Sequence, residues 1–91
     1  MQLKWTSAAL ADLSRLYEFL SPINPQTAAT TIQSLTAAPA RLMQQPRIGE
    51  RLDEFETREV RRLLVGNYEI RYELSAEILY VLRVWHTREY R

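Results

Sequence analysis

The sequence predicts an α+β domain: a short N-terminal strand, an antiparallel helix hairpin, then a three-stranded antiparallel sheet. Three observations carry this. Apolar residues recur at helical spacing in the first half, polar and apolar residues alternate in the second, and the turn dipeptide Gly66-Asn67 separates two alternating runs. At 91 residues the chain is long enough for one domain, spanning 1–91, and too short for two.

Gln2 to Trp5 alternates and reads as the first strand. Thr6 or Ser7 then supplies an N-cap, its side-chain oxygen accepting from a backbone N–H that the helix leaves unpaired. Leu10, Leu13, Tyr17 and Leu20 follow as one apolar stripe, and Ser21-Pro22 ends the helix. Asn24-Pro25 restarts it, with proline at the first helical position, where its missing N–H costs nothing. Ala28, Ile32, Leu35 and Leu42 share one side of this second helix. Pro39 predicts a kink or break near Ala37–Pro39 before a last turn to Gln45, because its ring clashes and removes the bond to Leu35.

Pro46 to Thr57 is charged, contains Gly49 and reads as a loop. Strands are expected over about Arg58–Val65, Tyr68–Leu74 and Glu77–Trp85, with a second tight turn at Ser75-Ala76. Two-residue turns set the register. Val65 pairs with Tyr68, Leu63 with Ile70 and Arg61 with Tyr72; across the second turn, Ile70 faces Val81 and Tyr72 faces Leu79. The helices should cover Leu63, Val65, Tyr68, Ile70, Leu79 and Val81. The last strand, apolar at nearly every position from Ile78 to Trp85, is expected to be central and covered on both sides.

The opposite face is expected to align Arg62, Arg71 and Tyr80 in one row, and Leu64, Glu69 and Leu82 in the next. Arginines opposite one another repel by a few tenths of a kcal/mol or more, and Glu69 and Glu73 sit diagonally to neutralise them. Leu64, Ile78, Leu82 and Val84 make the same face partly apolar. Two readings fit it: a solvated, salt-bridged face over a small satellite core, or a docking surface for an external segment.

Composition narrows the chemistry. There is no cysteine and one histidine, which removes disulfides, thiolate nucleophiles and cysteine-based zinc sites. The two glycines stand far apart, so there is no phosphate-cradling loop. No metal and no cofactor are expected. No apolar run has the length of a signal peptide or a membrane span, so a cytoplasmic protein is expected. Net charge is +1, low for a nucleic-acid binder that works by bulk electrostatics. Eleven of the twelve cationic residues are arginine, which suits forked contacts to carboxylate or phosphate; arginine-rich codon usage gives the same count. The segment Arg83 to Arg91 concentrates Arg83, Trp85, His86, Arg88 and Tyr90. Such a set fits RNA cleavage, with a base, an acid and positive charge for the phosphorane, and equally fits a protein–protein hot spot.

In order and spacing, several segments together resemble the RelE/ParE superfamily, the toxins of type II toxin–antitoxin pairs, over essentially the whole chain. They are Trp5, Ala11-Asp12-Leu13, Leu42 with Pro46 and Gly49, Arg58-Glu59-Val60-Arg61-Arg62-Leu63, Tyr68-Glu69-Ile70-Arg71-Tyr72 and Ile78 through His86. The resemblance implies a cognate antitoxin whose segment wraps the toxin in a hetero-oligomer, and no membrane partner. It implies one of two targets: DNA gyrase for the ParE-like branch, or mRNA in the ribosome for the RelE-like branch. A third possibility is a remnant that binds its antitoxin and harms nothing. RelE-like nucleases carry an arginine where Glu69 stands. Arg62, Arg83, His86, Arg88 and Tyr90 are the catalytic candidates on the nuclease reading, and His86-Thr87-Arg88 also fits the ParE-like tail. The ParE-like branch is favoured. Antitoxin or target contact is then expected at Arg62, Glu69, Arg71, Ile78, Tyr80, Leu82 and Trp85.

Overall fold

The computed structural model describes residues 1–89. Strand β1 (Gln2–Trp5) is followed by helix α1 (Ser7–Leu20), helix α2 (Pro25–Gln44), and strands β2 (Glu50–Arg51), β3 (Glu59–Val65), β4 (Tyr68–Ser75) and β5 (Ile78–His86). The expected fold class is the one observed. The sheet is wider than three strands, because β1 and β2 join its edges in the order β1-β5-β4-β3-β2. β1 runs parallel to β5 and every other pairing is antiparallel.

The helix ends follow from local chemistry. Thr6 caps α1, its Oγ1 accepting from the Ala9 N–H at 3.1 Å, and Asn24 caps α2 by accepting from the Thr27 N–H at 3.1 Å. The buried stripe of α1, however, is Ala9, Asp12 and Leu16. Leu10 and Tyr17, expected inside, are exposed. Apolar spacing misplaced the stripe by about one position, because the helix carries apolar residues over most of its circumference.

Of the kink or break expected near Ala37–Pro39, the break is absent: α2 continues as one helix to Gln44 with Pro39 inside it. A proline within a helix costs ~3 kcal/mol. The Pro39 ring is fully buried, and that burial offsets part of the cost.

Both helices lie on one face of the sheet. The core joins Ala9 and Leu16 of α1, Leu35, Ala38 and Leu42 of α2, and Ile70, Tyr72, Leu74, Leu79, Val81 and Val84 of the sheet. Leu63, Val65 and Tyr68 pack against it, as expected. Val84 belongs to this core and not to the opposite face, where alternation had put it.

The displacement of Val84 comes from the second hairpin. The turn is Ala76-Glu77, with Ser75 paired to Ile78, one residue later than Ser75-Ala76. Tyr72 therefore faces Val81 and not Leu79. The register then shifts between Arg71 and Tyr72, so Ile70 faces Val84 and not Val81. Leu82 is the extra residue of a β-bulge, a feature that re-aims the side chains beyond it. The β3–β4 register is as expected.

One glycine is fixed by close approach. The Tyr72 hydroxyl donates to the Pro46 carbonyl at 2.6 Å and accepts from the Gly49 N–H at 3.0 Å. A Cβ on Gly49 would lie 2.6 Å from both the Arg62 carbonyl and the Tyr72 hydroxyl oxygen. The segment read as one loop thus contains β2, held against β3 by this clamp.

Candidate functional site

The face of the sheet away from the helices carries a row of charge. Glu50 pairs across to Arg62, Arg62 to Arg71, and Arg71 to Arg83. The bulge brings Arg83 into this row, and Tyr80, expected there, lies opposite Glu73 instead. The next row runs Leu64, Glu69, Trp85, so Trp85 takes the place expected for Leu82.

Three adjacent arginines require compensation, and each has a carboxylate. Arg62 donates from Nε to Glu50 at 2.8 Å, a bond that holds its guanidinium above the usual arginine range. Arg71 donates to Glu69 at 2.9 Å, and Arg62 lies 3.7 Å from the same carboxylate. Glu69 is 1% exposed. So buried a carboxylate depends on its arginines, and taking a partner away is costly. Glu73, expected to serve this row, instead takes Arg58 in a forked pair at 2.7 and 3.0 Å. Two guanidiniums contact the Trp85 ring, Arg71 at 4.8 Å and Arg83 at 5.1 Å from its centre. Such contacts contribute ~0.5–2 kcal/mol each, depending on desolvation.

Arg83 is held from the other layer. Its Nε and Nη2 donate to the two oxygens of Asp12 at 2.8 and 3.0 Å, and the Val84 N–H donates to Asp12 Oδ2 at 2.9 Å. Burial pushes the Asp12 carboxyl up, but hydrogen bonds from Arg83, the Val84 N–H and Arg15 outweigh burial and hold it below the usual carboxylate range. β1 ends at Trp5, opposite Val81, and among the described residues no strand lies beside the β5 edge beyond it. Side chains of α1 and its cap complete it. Thr6 Oγ1 donates to the Leu82 carbonyl at 2.9 Å, Asp12 accepts from Val84, and Arg15 donates to the Val84 carbonyl at 3.4 Å.

The model of the ParE toxin of type II toxin–antitoxin systems, parDE, matches residues 3–90. The chain belongs to the ParE toxin family. A solved structure described as the chromosomal ParDE TA system from P. aeruginosa is similar in fold, with a TM-score of 0.75, 24% identity and 92% of each chain covered. Among curated proteins none matches.

Of the residues expected to make contact, this ParE-family sheet gathers Arg62, Glu69, Arg71 and Trp85 around one cluster, which Arg83 joins. Tyr80 is half-buried opposite Glu73 in a neighbouring row, Leu82 sits in the bulge, and Ile78 is half-buried at the far end of β5. The nuclease candidates are divided. Arg62 and Arg83 belong to the outer face. His86, at the end of β5, faces the helix side, edge-on to Tyr68 with ring centres 5.1 Å apart. It lines a cleft of about 500 Å³ with Leu16, Phe19, Arg88 and Glu89, and its Nδ1 accepts from the Arg88 N–H at 3.1 Å. Tyr90 lies outside the described residues.

Sequence reasoning missed Asp12 and Glu50 as parts of this face. Asp12 had a signal: it stands where an apolar residue belongs, between Ala9 and Leu16 at helical spacing. Glu50 had none, since a two-residue strand is too short to show alternation. Among the described residues, no helix is long and apolar enough to cross a membrane.

Proposed function

We propose that this ParE-family chain inhibits DNA gyrase by protein contact through the outer sheet face, and that a cognate antitoxin neutralises it by covering the same face. One observation carries the reading. Every arginine of the outer row is already bonded to a carboxylate, Arg62 to Glu50, Arg71 to Glu69 and Arg83 to Asp12. A phosphate-transfer site needs positive charge aimed at the developing phosphorane. Here the charge of the outer row is neutralised and the sheet separates it from His86, whose own cleft holds Arg88 and an Arg15 already paired with Asp12 and Glu89. What the face offers instead is Arg and Trp at its centre with exposed Leu64 beside them, the residue types that dominate protein–protein hot spots.

The alternative reading, ribosome-dependent mRNA cleavage, makes a different prediction with the same purified protein. Supercoiling by DNA gyrase and cleavage of an mRNA on translating ribosomes are measured side by side. Gyrase inhibition with intact mRNA supports the proposal. Cleaved mRNA with active gyrase overturns it, as does a protein inert in both assays, which would be a remnant.

A further inference from the structure

Asp12 does more at the β5 edge than the edge requires. The Val84 N–H needs a single acceptor, which any small polar side chain on α1 could supply. The two oxygens of Asp12 also grip the Arg83 fork, a planar, directional contact that fixes where a guanidinium points. Asp12 is 3% exposed, while the Arg83 side chain is 43% exposed, so the anchor is rigid and the anchored group reaches the surface. Arg83 stands directly across from Arg71, and both lie over Trp85. Like charges in that position repel. Without an opposing anchor, the exposed Arg83 would swing toward water and withdraw its guanidinium from the indole.

We propose that Asp12 is the positioning residue of the outer-face docking site: from α1 it holds Arg83 over the Trp85 indole and so builds the Arg71–Trp85–Arg83 stack. The inference rests on the docking reading above and adds the residue behind the sheet that gives the contact surface its shape. Asp12 touches no partner itself; it acts through Arg83.

Asn at position 12 breaks the fork and spares the edge: its carbonyl oxygen in the place of Oδ2 can still accept from Val84 and from Arg83 Nε, while its NH₂ group faces Arg83 Nη2 and Arg15 donor to donor and the charge that anchors Arg83 is gone. The experiment uses the full chain with Trp5→Phe, so that Trp85 is the sole tryptophan. Three quantities are read: hydrogen exchange at the Val84 amide, acrylamide quenching of Trp85, and inhibition of purified DNA gyrase. Asp12→Asn is expected to keep Val84 protection, raise Trp85 quenching, and weaken gyrase inhibition about tenfold, as loss of a charge pair at a contact surface does. Asp12→Ala is expected to lose Val84 protection as well. Arg83→Met should reproduce the quenching and inhibition changes. Adding Asp12→Asn to it should then cost nothing further, the signature of one residue acting through another. Wild-type quenching in Asp12→Asn would overturn the proposal, and so would additive losses in the double variant. If the parent protein does not inhibit gyrase, the target reading fails on that result, and Trp85 quenching alone decides the role of Asp12. Should Asp12→Asn fail to fold, quenching in Arg83→Met decides: an unchanged value overturns the stack.

Discussion

Asp12 and Arg83, 71 positions apart, meet through two hydrogen bonds of 2.8 and 3.0 Å. That pair joins the helix layer to the outer face of the sheet around the edge that β1 leaves open. It also makes stability depend on pH. The folded Asp12 carboxyl lies below its ordinary value, so its contribution is fully present above the unfolded value of about 4. It is lost as pH falls through the lower folded value. Urea unfolding between pH 7 and pH 3 should show wild-type stability falling over the acid end of that range. In Asp12→Asn the fall should be shallower, from a lower plateau at neutral pH. Parallel curves would mean that Asp12 is not held in its charged form.

The Gly49 clamp gives a second expectation. Gly49→Ala puts a methyl group 2.6 Å from the Arg62 carbonyl, which is backbone and cannot step aside. A loss of about 1–3 kcal/mol, the usual range for overpacking, is expected from chemical denaturation. Tyr72→Phe removes the acceptor of the Gly49 N–H and the donor to Pro46. It should cost about 1–3 kcal/mol by leaving a buried group unpaired. Independent, additive losses would show that β2 is held by something other than this clamp.

Ala76 occupies the second hairpin turn with φ of 53°, a left-handed conformation that an L residue adopts at a cost. Gly66 holds the matching place in the first turn, with φ of 59°, and there the cost is absent. Ala76→Gly should therefore raise the melting temperature by several degrees, equivalent to roughly 1 kcal/mol in a domain of this size. Gly66→Ala should lower it by a similar amount. A lower melting temperature for Ala76→Gly would place the turn in another conformation.

Arg62 offers the mildest test of the outer face. Its bond to Glu50 lies at the surface, so solvent screens it and breaking it changes stability little. Reversing Arg71 as well would strand buried Glu69. Arg62→Gln removes the charge without setting a third carboxylate beside Glu50 and buried Glu69, which keeps Arg71; it should lower the melting temperature only slightly while weakening gyrase inhibition, and binding of a co-expressed antitoxin, by several-fold. Unchanged affinity in both assays would move the contact surface elsewhere, with the exposed Phe19 and Ile23 of the helix hairpin the next place to look.

The fold was legible because its signals are local. Caps at Thr6 and Asn24, the Gly66-Asn67 turn and strict alternation in β4 each act within a few residues. What escaped depends on distant partners. The bulge at Leu82 has no local signature in an almost wholly apolar strand, yet it exchanges Tyr80 for Arg83 in the charged row and turns Val84 into the core. The α1 stripe was misread because buried Asp12 makes sense only once the open edge of β5 is in place. The α2 break was expected from Pro39 alone, while burial of that ring, a tertiary effect that offsets part of its cost, has no local signal.

His86 separates the two toxin readings most sharply. In a nuclease it would transfer a proton beside fixed positive charge, and loss of either would be severe. Here its ring stands edge-on to Tyr68 on the helix side, and the Arg88 N–H already occupies Nδ1. The place where RelE-like nucleases carry an arginine holds Glu69, buried and bonded to Arg71. A preorganised donor is worth ~10²–10³ in rate, and a carboxylate in its place is worth less than nothing to a phosphorane. His86→Ala should therefore keep arresting growth and inhibiting gyrase within a few-fold of wild type. The expected cost is a modest loss of stability from the Tyr68 contact, of order 0.5–1.5 kcal/mol. Glu69→Arg should not create mRNA cleavage; it should destabilise the chain, because three arginines would then crowd Trp85 without their buried carboxylate. Growth arrest and reporter-mRNA cleavage, measured together in these two variants, decide the matter. Abolition of both by His86→Ala would make this chain a nuclease and return the outer arginines to catalysis.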